Sequence, residues 1–153
     1  MSEKQFEGAT ALVTGGSRGI GRACCVRLGQ AGARVAVNYR ARRDDAEETA
    51  RLVEAAGGTA HVVAADVSDE AAVAKMVAEV EEEFGPVELL VNNAGIFEMR
   101  PHEETTLDHW RQTLEVNLTG VYHVTWAVKE RMIERGYGRI VNVSSIAGLR
   151  ARP

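Results

Sequence analysis

The chain has 153 residues, of which 45% are hydrophobic and 26% are charged, and its formal net charge is −4. This composition is ordinary for a folded globular domain and excludes an intrinsically disordered chain. The negative charge gives no electrostatic basis for binding nucleic acid or an anionic membrane surface. Residues 1–7 lack the apolar core of a secretory signal, and no uncharged apolar run is long enough for a membrane helix. We therefore expect a single cytoplasmic domain spanning residues 1–153.

A glycine-rich stretch, Thr14 to Gly21, follows the apolar run 9–13 and precedes a helical pattern over 22–30. A strand that turns on glycines into a helix offers free N–H groups and a partial positive charge to a phosphate. A tight strand-to-helix turn without a ligand is the simpler alternative, but this context favours nucleotide binding. The candidate cofactor-binding residues of the turn are Gly15, Ser17, Arg18, Gly19, Ile20 and Gly21.

Strands and helices alternate along the rest of the chain. Further strands are predicted at 33–39, 59–65, 87–91 and 139–144, and further helices at 42–56, at 69–84 with Ser68 as the N-cap, and at 106–135. This alternation predicts a parallel α/β sheet covered by helices on both faces. Right-handed crossovers and a glycine turn on the first strand favour a doubly wound sheet of five strands in the order 3-2-1-4-5.

Cysteine and histidine positions do not point to a redox or metal site. Cys24 and Cys25 are adjacent on the first predicted helix, where neighbours point about 100° apart, so one should face the core and the other a flank. The four histidines show no metal-ligand spacing. We expect no bound metal and no disulfide.

The end of the second predicted strand should select between dinucleotides. A carboxylate at this position binds the ribose 2′-OH of NAD and repels the 2′-phosphate of NADP. Here the residues are Asn38, Tyr39 and Arg40. With Arg18 in the glycine turn, Arg40 can form charge-assisted hydrogen bonds to a 2′-phosphate, so NADP(H) is preferred and NAD(H) remains possible. Arg42 and Arg43 are more simply a solvated helix entry.

Several motifs in a fixed order resemble the N-terminal part of a short-chain dehydrogenase/reductase, most closely the 3-oxoacyl-carrier-protein reductase and glucose dehydrogenase-like members. Together they extend over nearly the whole chain, although each alone is weak. The matching pieces are the turn 14–21, Asp66-Val67, Asn92-Asn93-Ala94-Gly95, Asn117 and Ser144-Ser145. The resemblance implies a Rossmann-type fold and hydride transfer between a nicotinamide and a carbonyl or alcohol.

The same resemblance assigns roles to individual residues. Asp66 and Val67 are implied to contact the adenine, while Asn93, Ala94 and Gly95 are implied to line the cofactor. Asn117 is implied to kink its helix and to help hold a water molecule in a proton relay. Ser145 matches the catalytic serine, which hydrogen-bonds the substrate oxygen and is not a nucleophile. No G-x-S-x-G motif supports a hydrolase instead.

The proton-transfer pair of the family, Tyr-x-x-x-Lys, is absent. It is expected shortly after Ser145, beyond Pro153, and no tyrosine of the chain has a lysine four residues later. The chain is thus interpreted as a C-terminally truncated member that lacks the last strands of the family and is inactive alone. The alternative is a non-catalytic NADP(H)-binding fragment or half-protein that needs a partner chain. A flavin or S-adenosylmethionine protein is a weaker third possibility.

Truncation predicts unprotected apolar surface. The fifth strand would be an open, hydrophobic edge, and the long helix would expose Val121, Trp126 and Met132 as a patch. By resemblance, the full-length protein is a homodimer or homotetramer.

Overall fold

The computed structural model describes residues 4–146, and the strands in this part form one parallel sheet in the predicted order. Its five strands are β1 (Thr10–Val13), β2 (Arg34–Tyr39), β3 (Thr59–Ala64), β4 (Leu89–Asn92) and β5 (Arg139–Asn142). They follow one another across the sheet as β3-β2-β1-β4-β5. The chain therefore forms the doubly wound Rossmann-type sheet that the sequence predicts.

Helices connect the strands, and the last predicted helix is interrupted. The helices are α1 (Gly19–Gln30), α2 (Arg43–Ala55), α3 (Glu70–Phe84), α4 (Leu107–Leu114) and α5 (Gly120–Glu134), with a short 3₁₀ turn at His102–Glu104. The single helix predicted over 106–135 is instead α4, a π-helical segment at Glu115–Thr119, and α5. None of the helices within residues 4–146 has the length and apolar content needed to cross a membrane.

Alternate residues of the central strand face two separate cores. Leu12 packs with α3 and α5 on one face of the sheet, and Ala11 and Val13 pack with α1 and α2 on the other. All four residues of β1 are buried, which explains the continuous apolar run in the sequence. Cys25 faces the second core and Cys24 lies at its margin, so the expected division between the two cysteines is confirmed.

The N-cap of α3 differs from the prediction by one residue. Asp69 caps the helix by accepting a hydrogen bond from the backbone N–H of Ala72 at 3.1 Å. Ser68, the predicted cap, instead donates its N–H and its hydroxyl to Oδ1 of Asp66. Both residue types are good N-caps. Ser68 does not cap the helix because its hydroxyl is hydrogen-bonded to the Asp66 carboxylate, and Asp69 caps it instead.

The outer side of the sheet is exposed in residues 4–146. All four residues of β5 are exposed, as predicted for an open edge. On α5, Trp126 is 54% exposed and stacks with Tyr122 at a ring-centroid distance of 4.5 Å. The prediction for Met132 is wrong, because this side chain is buried in the core and closely approaches Gly138.

Candidate functional site

The glycine turn is fixed to the end of β4 by four hydrogen bonds. The hydroxyl oxygen of Thr14 accepts bonds from the backbone N–H groups of Asn93 and Ala94, each at 3.0 Å. In return, the side-chain amide of Asn93 donates to the carbonyls of Thr14 and Gly15, each at 3.0 Å. Thr14 is 2% exposed, so these bonds are shielded from water and hold the two segments in one geometry.

Three glycines of the turn are required for different physical reasons. Gly15 has φ +62°, and a Cβ there would lie 2.9 Å from Cα of Ala94. A Cβ on Gly21 would lie 2.3 Å from the carbonyl oxygen of Gly15, so this position permits the helix to approach the turn. Gly19 has φ +56° and open space around its missing Cβ. The left-handed conformation therefore favours glycine at 19, while close packing requires it at 15 and 21.

The first turn of α1 lacks a side-chain cap. Its N-cap, Arg18, is extended and makes no capping hydrogen bond through its side chain, which is also true of Arg42 at the start of α2, whereas α3 and α4 are capped by Asp69 and Thr106. The first N–H groups of a helix have no intrahelical partner and are satisfied by caps, water or ligands. The start of α1 can therefore accept an anion such as a pyrophosphate.

A second support of the turn was not found by sequence reasoning. The guanidinium of Arg22 donates to the carbonyl of Ser17 at 2.7 and 3.2 Å and to the backbone carbonyl of Asp45 at 3.0 Å. The hydroxyl of Thr49 donates to the same Ser17 carbonyl at 3.1 Å. These bonds tie the turn to α2. The bonds to α2 join residues 23 and 32 positions apart, so no local sequence pattern predicts them.

A cleft of about 400 Å³ opens at the carboxyl ends of the strands. Of the residues predicted to bind the cofactor, every one except Gly21 lines it. Gly21 lies behind the turn, where it contacts Gly15 and Asn93. The cleft also includes residues that the sequence did not assign to the cofactor: Ala41, Arg42, Ala65, Ile96 and Val116.

Asn38 lines the cleft but uses its side chain to support the backbone around it. It is 1% exposed, and its Oδ1 accepts from the N–H of Gly15 at 3.2 Å. Its Nδ2 donates to the carbonyls of Val63 and Ala65 at 3.4 and 3.2 Å. An aspartate could accept the Gly15 bond but could not donate the others. Tyr39 and Arg40 therefore form the more accessible rim of this corner.

Charged pairs occupy the same corner of the cleft. Arg40 lies 3.7 Å from Oδ2 of Asp66, and Arg42 lies 3.4 Å from Oδ2 of Asp45. Partial burial raises the pKa of Asp66, but the two hydrogen bonds from Ser68 and the charge of Arg40 lower it further, so this pKa lies below the ordinary value. Asp66 is thus a carboxylate at neutral pH.

Neither of the two candidate catalytic residues, Asn117 and Ser145, is among the residues that line this cleft, although Asn117 lies beside Gly95, which does. Asn117 is within the π-helical segment, where Oδ1 accepts from the N–H of Ile96 at 2.8 Å and Nδ2 donates to the Ile96 carbonyl at 2.9 Å. This segment is the irregularity that the resemblance implies. Ser145 follows β5 and is exposed. Asn92 on β4 and Asn142 on β5 are register partners. Gly95 and Ser145 each follow their strand's partner residue by three positions.

A second cleft, also of about 400 Å³, lies between the segment after Gly95 and α4. Ile96 lines both clefts, so they adjoin. Arg100, His109 and Trp110 also line the second one. Phe97 also lines this cleft although its side chain is 85% exposed, whereas Met99, which is 82% exposed, is not among the lining residues.

Comparison with known proteins finds relatives that match nearly the whole of this chain. The family model described as short chain dehydrogenase matches residues 9–153. An acetoacetyl-CoA reductase of Rhizobium meliloti (strain 1021) is 46% identical over 138 residues, which cover 90% of this chain and 55% of that protein. An acetoacetyl-CoA reductase of Allochromatium vinosum is 41% identical, over 93% of this chain and 58% of that protein. The chain thus spans little more than half the length of these relatives.

Solved structures of similar sequence have the same fold. A short chain dehydrogenase from Burkholderia cenocepacia J2315, in complex with NADP, is 38% identical with a TM-score of 0.88, over 97% of this chain and 60% of that one. A double mutant of a Serratia marcescens short-chain dehydrogenase/reductase is 36% identical with a TM-score of 0.87, over the same shares of the two chains.

Proposed function

The chain belongs to the short-chain dehydrogenase family, and on that premise we propose that the complete protein is an NADP(H)-dependent oxidoreductase that interconverts a carbonyl compound and an alcohol. The observation that carries this proposal is the cleft at the carboxyl ends of the strands, in which the uncapped start of α1 meets the segments after β2, β3 and β4. Ligands of doubly wound sheets bind at this place.

The residues present fit a dinucleotide. The open space at Gly19 and the uncapped first turn of α1 suit a pyrophosphate. Asp66 and Val67 would hold the adenine, and the backbone from Asn93 to Gly95 would lie along the rest of the cofactor. Arg18 and Arg40 would bind a 2′-phosphate, and Arg42, which lines the same corner, adds a third guanidinium.

The chemistry would combine the cofactor with side chains on the β5 side of the cleft. When bound, the reduced nicotinamide supplies a hydride to the carbonyl carbon, so that ketone, NADPH and one proton give alcohol and NADP⁺. Ser145 would donate a hydrogen bond to the carbonyl oxygen. Asn117 would hold the segment at Ile96 in place through its paired amide bonds. We propose that the proton comes from the Tyr-x-x-x-Lys pair of the family, which residues 1–153 do not contain.

The names of the relatives support a proposal about the substrate class. Two of them are named acetoacetyl-CoA reductases, and we propose a 3-oxoacyl thioester as substrate. The second cleft, which adjoins the first at Ile96, offers one wall for such a molecule.

Coenzyme titration tests the proposal independently of turnover. We expect NADPH to bind at least about tenfold more tightly than NADH, because charge-assisted hydrogen bonds to a phosphate contribute about 1.5–3 kcal/mol. Arg40→Asp should abolish this preference. If the preference were the same in this variant, the assignment of Arg40 to the 2′-phosphate would be wrong.

Activity measurements test the proposed reaction and the proposed location of the proton donor separately. The complete protein should oxidise NADPH in the presence of acetoacetyl-CoA, and Ser145→Ala should lower this rate with little change in NADPH affinity. Residues 1–153 alone should bind the coenzyme without turnover. Thioester-dependent NADPH oxidation by this chain alone, above a blank without protein, would contradict the proposed location of the proton donor.

The exposed side of the molecule supports a proposal about assembly. We propose that the complete protein is a homo-oligomer, because the aromatic side chains of Tyr122 and Trp126 on α5 are exposed in the described part of the chain. Sedimentation of the complete protein as a monomer at micromolar concentration would refute it.

A further inference from the structure

We propose that Asp66 limits the preference of the cleft for a 2′-phosphorylated adenosine, because its carboxylate competes with that phosphate for Arg40. The inference rests on the proposed function, since it requires the adenosine end of a dinucleotide to bind in this corner. It goes further by assigning to Asp66 a specificity role that is separate from contact with the adenine.

The carboxylate is fixed while the guanidinium is free to move. Oδ1 of Asp66 accepts bonds from the hydroxyl and the N–H of Ser68 at 2.6 and 3.0 Å, which direct Oδ2 toward Arg40. Arg40 is 54% exposed. Its distance of 3.7 Å from Oδ2 exceeds the ~2.7–2.9 Å of a strong charge-assisted hydrogen bond. Arg40 can therefore leave Asp66 for a stronger partner.

Two opposite effects of Asp66 are possible, and the geometry decides between them. A carboxylate could orient Arg40 for the ligand, or it could oppose a second anion near the same guanidinium. Orientation needs a short, directional bond, which a separation of 3.7 Å does not provide. The attraction between the Asp66 carboxylate and the Arg40 guanidinium acts at this distance in any geometry, and a phosphate has to overcome it to bind Arg40. Competition therefore outweighs orientation.

The other charged residues of this corner do not reverse the unfavourable effect of Asp66 on binding of a 2′-phosphate. Arg18 and Arg42 also line the cleft, and Asp45 neutralises Arg42 at 3.4 Å. Three guanidiniums thus stand against two carboxylates. A dianionic 2′-phosphate must draw Arg40 away from Asp66, and removal of the Asp66 charge relieves this cost.

The test uses adenosine 2′,5′-bisphosphate and 5′-AMP as probes, so that neither the nicotinamide nor catalysis is involved. Their dissociation constants are measured by calorimetry on the complete protein at low ionic strength. Asp66→Asn should raise the affinity ratio of bisphosphate to AMP by about three- to fivefold, since exposed ion pairs contribute up to about 1 kcal/mol. Loss of an adenine contact would weaken both probes equally and cancel in the ratio.

Asp69→Asn is the matched control. It removes the same charge three residues away, and asparagine is an equally good N-cap for α3. In this control variant, the affinity ratio of bisphosphate to AMP should change by less than about twofold, as expected for a charge screened by solvent. Far-UV circular dichroism verifies folding, and Asp66→Ser provides a second neutral variant if Asp66→Asn misfolds.

A double-mutant cycle with Arg40→Gln separates competition for Arg40 from a bare charge effect. In that background Asp66→Asn should change the ratio little, because the shared partner is gone. An unchanged or lowered ratio in Asp66→Asn, or a full effect without Arg40, would overturn the inference and leave the proposed function standing. Failure of the wild-type protein to bind either probe would overturn the proposed function, and this inference with it.

Discussion

Two neighbouring strands of the sheet show how differently the two sides of the molecule are completed. Val91 on β4 and Val141 on β5 are register partners, yet Val91 is 8% exposed and Val141 is 55% exposed. On the β4 side, the glycine turn, Thr14 and Asn93 satisfy one another's hydrogen bonds. On the β5 side, apolar side chains face outward. Within residues 4–146, the hydrogen bonds around the glycine turn are satisfied, whereas the residues of β5 are exposed.

This difference in exposure predicts how substitutions in the two regions affect stability and coenzyme affinity. Substitutions around the glycine turn should affect stability and coenzyme affinity together, because the same bonds hold the fold and shape the cleft. Substitutions on β5 should leave the monomer's stability nearly unchanged. The variants below test this contrast.

The largest effect is expected for Gly21→Val. A Cβ at this position would meet the Gly15 carbonyl oxygen at 2.3 Å and the Asn93 amide nitrogen at 2.6 Å. Both groups belong to the rigid turn, so we expect the free energy of unfolding to fall by about 3 kcal/mol or more and NADPH binding to be lost. Urea denaturation measures the first effect. Ala23→Val is the control, since Ala23 is exposed on the same helix; equal losses in both variants would refute the packing argument.

Identical substitutions of Thr10, the first residue of β1, and Thr14, the residue after its last, separate effects on stability from effects on coenzyme affinity. Thr14→Val leaves the N–H groups of Asn93 and Ala94 without an acceptor, and Thr10→Val removes the bond from the Thr10 hydroxyl to the Phe84 carbonyl at 2.8 Å. Each should cost about 1–3 kcal/mol, measured by urea denaturation. Only Thr14→Val should also weaken NADPH binding. A matching loss of affinity in Thr10→Val would show that global stability, and not local geometry, controls the cleft.

The register partners themselves give the most direct comparison. Val91→Ala should lower the free energy of unfolding by about 1.5–2 kcal/mol, because two buried methyl groups are removed. Val141→Ala should change it by about 0.5 kcal/mol or less, as for other surface positions. Thermal or urea unfolding of residues 1–153 at low protein concentration measures both changes in the free energy of unfolding. Equal costs would mean that β5 is covered in solution, which would contradict the open edge described here.

The smallest effect concerns the pH dependence of the Asp66 corner. The folded-state pKa of Asp66 lies below its ordinary value, so its ionised form stabilises the fold at neutral pH. This contribution is lost as the pH falls below about 4, the ordinary aspartate range, and through the lowered folded-state pKa. The stability difference between wild type and Asp66→Asn should therefore narrow in acid. A difference that widens below this pH would show that the pKa is raised instead.

Local patterns were sufficient to predict the framework. The strand order follows from the alternation of apolar runs, glycine turns and helical patterns. The family resemblance, and not a local pattern, assigned Asp66, Val67 and residues 93–95 to the cofactor, and all of them line the cleft. The roles of the site residues, including Ser145 and Asn117, remain predictions.

The features that could not be predicted from the sequence depend on contacts between segments distant along the chain. Asn38 was predicted to occupy the position that distinguishes NAD from NADP, and the sequence did not show that its amide also bonds to Gly15, Val63 and Ala65. Arg42, assigned to solvent, lines the cleft. The burial of Met132 depends on how closely Gly138 returns to α5. Periodicity identifies one face of a helix, but it does not reveal which element will cover that face.

The π-helical segment at Glu115–Thr119 has a consequence for how chains of this kind should be aligned. A π turn accommodates one residue more than an α turn, so it acts as a one-residue insertion absorbed inside a helix. A homologue that lacked this extra residue would have a regular helix, and an asparagine at the aligned position would lie on a different side of it. Alignments across this segment should therefore place gaps by the bonds from Asn117 to Ile96, since matching letters alone could pair residues that point in different directions.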